Sequence, residues 1–109
     1  MAESKAHRRA KRRAAGPGGR TEVPIRGRKR LDALTSGRRR ATEVERSGSY
    51  GGLFTAAKRL KTSGAPQMVL QVPQNDMRTA VKAMQNAGVK GTVKNMGNTK
   101  RWSVRRPKR

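Results

Sequence analysis

The chain has 109 residues, room for one domain, and carries 28 Lys plus Arg against 6 Asp plus Glu, a net charge of +22. Such a chain repels itself until a polyanion neutralises it, and nucleic acid is the polyanion of matching charge density. With no cysteine and a single histidine, His7, disulfides and Cys-based zinc sites are excluded and a His-based metal site has too few ligands.

Membranes are a poor fit. One Trp, one Phe and one Tyr cannot build the aromatic face of an interfacial helix, and no apolar run approaches the roughly 18 residues of a span. The N-terminus is basic without the apolar stretch of a secretory signal. The expected location is therefore intracellular, in cytoplasm or nucleoid, or inside a virus particle.

Residues 1–20 read MAESKAHRRAKRRAAGPGGR, almost free of large apolar side chains. They are expected to be a disordered basic arm that lays Arg8, Arg9, Lys11, Arg12 and Arg13 on phosphates and could become helical there. Residues 105–109 form a shorter basic tail. Between them, residues 21–104 alternate periodic segments with turn signals. Strands are expected over Thr21–Ile25, Arg28–Leu34 and Arg39–Arg46, with turn residues at Thr35–Arg38 and a break at Ser47–Ser49. A helix follows over Tyr50–Lys61, where Leu53, Ala56, Ala57 and Leu60 make one apolar stripe. Met68–Val72 is a continuous apolar run, the pattern of a strand buried on both faces. A second helix spans Asp76–Ala87, with Met77, Ala80, Val81 and Met84 as its buried stripe, capped by Asn75 or Asp76 and closed by Gly88. Two strands, Gly91–Met96 and Lys100–Val104, end the series, with Trp102 expected in the core. The fold class is α/β, a small mixed sheet with two packed helices.

In a chain this basic the acids are informative. Four of the six, Glu22, Asp32, Glu43 and Glu45, lie on three consecutive strands. Residues i and i+2 of a strand share a face, so Glu43 and Glu45 point the same way. A hairpin with its tip at Ser36-Gly37, or a four-residue loop over 35–38, pairs Asp32 with Ala41 and sets Glu43 diagonally beside Asp32 on that face. Three carboxylates so placed repel one another. Either a divalent cation relieves them, taking carboxylate, water and phosphate oxygens, or they are solvated partners of Arg30, Arg39, Arg40 and Arg46. Spacing alone leaves both open.

These residues resemble the restriction-endonuclease-like, or PD-(D/E)xK, nucleases, whose pattern is an Asp strand, a turn and a Glu-x-Lys strand, then a helix and a further buried strand. Arg30-Leu31-Asp32-Ala33-Leu34 matches the first strand and Thr42-Glu43-Val44-Glu45-Arg46 the second. Leu53–Leu60, Met68–Pro73 and Asp76–Ala87 match the helix, strand and helix that follow, so the resemblance covers residues 21–96. The departure is Glu45, which stands where the family has lysine. The resemblance implies that Asp32 and Glu43 hold Mg²⁺ (or Mn²⁺) with help from the Val44 carbonyl. It makes Glu45 a further ligand or the group that orients water, and Glu22 the earlier acid. Lys58 and Lys61 become candidates to hold phosphates. It also implies DNA more than RNA as the partner and allows a homodimer.

The expected function is thus a nucleic-acid-binding protein that hydrolyses DNA phosphodiester bonds with a divalent metal. The alternative is a non-catalytic basic protein of a ribonucleoprotein or a packaged viral genome. An RNA-binding sheet that stacks bases on aromatic side chains fits poorly, because only Trp102 is available in that half.

Overall fold

A computed structural model describes residues 4–105. Glu3 and residues 106–109 of the basic tail lie outside the described residues.

The described residues form a six-stranded mixed sheet with three helices. In chain order these are α1 (Lys5–Ala15), β1 (Arg20–Ile25), β2 (Lys29–Leu34), β3 (Arg40–Val44), α2 (Tyr50–Ser63), β4 (Gln67–Val72), α3 (Met77–Asn86), β5 (Gly91–Asn95) and β6 (Arg101–Val104). Strand order in space follows strand order in sequence. β1, β2 and β3 are antiparallel neighbours; β3, β4 and β5 run parallel; β6 returns antiparallel on β5. The parallel pairs are the ones joined through helices, as a crossover requires. Among the described residues no helix is long and apolar enough to cross a membrane.

From the sequence, two helices and a disordered arm over residues 1–20 are expected; the structure instead folds most of that arm into α1. Lys, Arg and Ala are all strong helix formers. The Ser4 hydroxyl accepts the His7 N–H at 3.1 Å and so caps the first turn, while Arg12 and Arg13 sit at the negative end of the helix dipole. Ala10, Lys11 and Ala15 are buried. Alanine buries little area, so the stripe is faint in sequence, yet its small side chain lets the helix lie close on the sheet. At the far end a Cβ on Gly19 would collide with the Ala15 carbonyl oxygen, so the chain can turn from α1 into β1 only with glycine there.

One apolar cluster lies between the sheet and α2 with α3. Leu53, Ala56, Ala57 and Leu60 of α2 and Met77, Ala80, Ala83 and Met84 of α3 pack on Leu34, Ala41, Leu70, Val72 and Val93. The expected apolar stripes are therefore the buried ones, with Val81 only partly so. Leu70 and Val72 face this cluster, while Gln71 between them lines a depression with Ala6, Ala10 and Arg13 of α1. Hence α1 lies on the opposite face, against β1, β2 and β3.

Two local expectations are corrected. Asp76 stands at the N-cap position of α3, but its side chain makes no capping bond, because a single 3-10 turn over Gln74–Asp76 leads into the helix. Trp102 is 43 % exposed, since it lies on the edge strand β6.

Candidate functional site

The hairpin of β2 and β3 builds the site. Its backbone pairs are Ala33–Thr42 and Leu34–Ala41, and Thr35 N–H donates to the Arg40 carbonyl at 3.0 Å. The turn therefore spans Ser36 to Arg39, with positive φ at Gly37 and Arg38. The sequence expectation of Asp32 opposite Ala41 is corrected by two residues. Because the shift is even, Asp32 and Glu43 still share a face, and they become direct opposites instead of diagonal neighbours.

At that point the carboxylates replace carbonyls as cross-strand acceptors. Asp32 N–H donates to Glu43 Oε2 at 2.7 Å, and Val44 N–H donates to Asp32 Oδ2 at 2.7 Å. The two acids are pinned in the seam between β2 and β3. Glu43 is 1 % exposed, and its carboxyl is pushed up to about 8, chiefly by burial and next by the negative charge of Asp32. Arg59 Nη1, 3.6 Å from Glu43 Oε1, opposes this shift without cancelling it.

Basic side chains close on the pair from α1 and α2. From α1, Lys11 is 4 % exposed and puts its Nζ 3.5 Å from Asp32 and 2.9 Å from Glu22, while His7 Nε2 stands 3.7 Å from Asp32 Oδ2. These described contacts run to Lys11, His7 and Arg59, and not to Arg30, Arg39, Arg40 or Arg46. Of those four, Arg40 and Arg46 bond instead to Gln67 and Ser4.

The acids line a cleft of about 310 Å³ with His7, Val44, Glu45 and the first turns of α2. Gly52, Thr55, Ala56 and Arg59 reach it together because they recur at helical spacing. Glu45 sits at the rim with its Oε1 accepting the Ser47 hydroxyl at 3.0 Å. His7 Nε2 and Arg59 Nε are buried without a hydrogen-bond partner among the described residues.

The structure brings Asp32, Glu43 and Glu45 to one cleft. Glu22 lies outside it, in a separate depression with Arg8, Lys11 and Arg12, and reaches Asp32 only through Lys11. Lys58 and Lys61 also lie elsewhere. Lys58 Nζ stands 5.6 Å over the Phe54 ring, and Lys61 donates to the Ala87 carbonyl at 3.4 Å. Arg8, Arg9, Arg12 and Arg13 are exposed on α1, whereas Lys11 turns inward to the acids. Sequence reasoning missed His7 and Arg59 as cleft residues. The signal was present: His7 and Lys11 are four apart, one face of a helix, but only once that segment is read as a helix.

Among the described residues no three His, Asp or Glu side chains are grouped to cage a metal ion. A fully protein-ligated metal does not fit. Two adjacent carboxylates match in type the ligands of Mg²⁺ or Mn²⁺, which keep waters and take one or two carboxylates plus phosphate oxygens; here each carboxylate oxygen meets an N–H or a cation of the chain. No protein-family model, curated protein or solved structure matches the chain.

Proposed function

We propose that the protein binds nucleic acid and is a metal-dependent nuclease acting on DNA phosphodiester bonds. The observation that carries this reading is the Asp32–Glu43 pair. A structural ion pair holds a carboxyl below its ordinary range, whereas Glu43 is pushed to about 8 although Arg59 is 3.6 Å away. A buried Glu43 opposite a partly buried Asp32 at a cleft is costly to ionise unless a ligand's positive charge meets the pair.

A divalent cation bound by Asp32 and Glu43 would supply Lewis acidity toward the phosphate and a more acidic water. The chain's own groups divide the remaining work. Glu45 at the rim orients the attacking water and takes its proton. Lys11 supplies beside Asp32 the ammonium that the Glu45 position lacks relative to the resemblance. Arg59 and His7, with unpartnered N–H or ring nitrogen at the cleft, meet the phosphate oxygens. Water adds to phosphorus, the bridging P–O bond breaks, and the leaving oxygen is protonated from solvent.

The test is incubation with labelled single- and double-stranded DNA and RNA in Mg²⁺, Mn²⁺ or EDTA, beside Asp32→Asn and Glu43→Gln. The expected result is metal-dependent cutting of DNA that either substitution reduces by at least about a hundredfold, the scale of losing a group that stabilises the transition state, while binding persists. Tight, salt-sensitive binding without cutting in any metal would sink the nuclease reading. It would favour the alternative that Glu45 itself suggests, a non-catalytic packaging or ribonucleoprotein component.

A further inference from the structure

On the face of the sheet that carries α1, the helix packs chiefly on β1, β2 and β3 and reaches Gln71 of β4; the end of that face toward Pro66 and Lys90 is an open groove. Val93 packs into the core, so Lys94 beside it projects from the other face. The register fixes what joins it. Arg40 pairs with Gln67, Gln71 with Lys94 and Lys94 with Arg101, which puts Arg40, Lys94 and Arg101 on this same open face. They line one groove of about 390 Å³, floored by Val69 and Thr92, and no carboxylate lines it.

None of the three cations has a described ion pair; Arg40 Nε donates to Gln67 Oε1 at 3.0 Å and is held across the groove. Burial, with the charges of Arg101, Arg40 and Arg13 around it, holds Lys94 below the usual lysine range. Like charges gathered in a concavity repel, and the neutralising partner must be an anion that reaches several at once. Backbone phosphates are spaced to do so.

We propose that the groove between Arg40, Lys94 and Arg101 is a backbone-phosphate site for duplex DNA, separate from the carboxylate cleft. With Arg13 of α1, whose charge also reaches Lys94, it gives the sheet a second line of contact. The bound duplex is thereby held on the face opposite α2 and α3. This rests on the nucleic-acid reading above but not on catalysis.

The experiment compares two triple variants of the full chain, each losing three positive charges. One is Arg40→Gln/Lys94→Gln/Arg101→Gln. The other is Arg26→Gln/Lys29→Gln/Arg30→Gln, on the exposed β1–β2 hairpin at the far edge of the sheet. Binding of a labelled duplex is measured in EDTA across a salt series, with thermal melts to verify folding, and Lys94→Gln alone guards against loss of fold in the triple. At roughly 0.9 per phosphate, the groove triple is expected to flatten the slope of log K against log salt by about two to three units. The single variant flattens it by about one, and the hairpin triple by less than one. Equal slopes for the two triples would overturn the groove and leave only diffuse charge. Groove-dependent binding without any cutting keeps this inference and removes the nuclease reading; absence of any DNA binding removes both.

Discussion

Glu43 sits on β3 within hydrogen-bond reach of the Asp32 backbone and keeps its proton to about pH 8. Its folded pKa lies above the ordinary 4.5. The stability tied to that proton is therefore full below about pH 4.5 and is lost as pH rises through 8. Melting the metal-free protein in EDTA should show wild type losing stability over that interval relative to Glu43→Gln, which carries no titrating group. Parallel curves would mean the carboxyl is not raised. Mg²⁺ competes with the same proton, so the stabilisation it gives wild type should grow with pH across the interval and be absent in Glu43→Gln. Lys11 is the second telling residue. Lys11→Met keeps the buried stem but leaves Asp32 without its ammonium and Glu22 without its partner. A stability loss of about 1–3 kcal/mol is expected, together with a fall in kcat larger than any change in DNA affinity. A purely structural lysine would lower stability and spare kcat in the folded fraction.

At the scale of elements, α2 is the part whose sequence is best explained by the site. Its first turn carries Gly51 and Gly52, poor helix residues, just where the helix approaches the acids. A Cβ at Gly51 meets open space, whereas one at Gly52 would stand 2.7 Å from Ser47 Oγ and 2.8 Å from Glu45 Oε1. Gly51→Ala should therefore stabilise the protein by about 0.5–1 kcal/mol and leave cutting unchanged. Gly52→Ala should gain less stability and slow cutting, because it displaces Glu45. Chemical denaturation and single-turnover cleavage on the two variants check this. α2, α3 and all six strands were legible in the sequence because their apolar residues are large and periodic. α1 was not, since its buried side are alanines and the stem of Lys11, which read as polar low-complexity sequence. Missing that helix hid His7 and Lys11 as neighbours of Asp32.

For the whole molecule, the charge of +22 sits on a domain with a Cα radius of gyration of 12.6 Å, a dense field of one sign. Self-repulsion falls with screening, so the melting temperature of the free protein should rise with added salt while duplex binding weakens. Binding that does not weaken with salt would contradict backbone-phosphate contacts. A thermal shift series and a binding titration over the same salt range measure both trends.

The sequence alone determined the sign and size of the charge, the α/β class, the element order from β1 onward and the apolar stripes of α2 and α3. All of these depend on local composition and periodicity. It also marked Asp32, Glu43 and Glu45 as the unusual acids, because strand alternation is a local rule. Only the tertiary structure decided which groups meet. The Ser36–Arg39 turn set Asp32 directly opposite Glu43. Packing of α1 brought Lys11 and His7 to Asp32, and α2 brought Arg59 instead of Lys58 or Lys61. The pairing of β3 through β6 gathered Arg40, Lys94 and Arg101 on one open face. Those contacts join residues far apart in the chain, and their register is set by turn geometry and side-chain packing that no single segment contains.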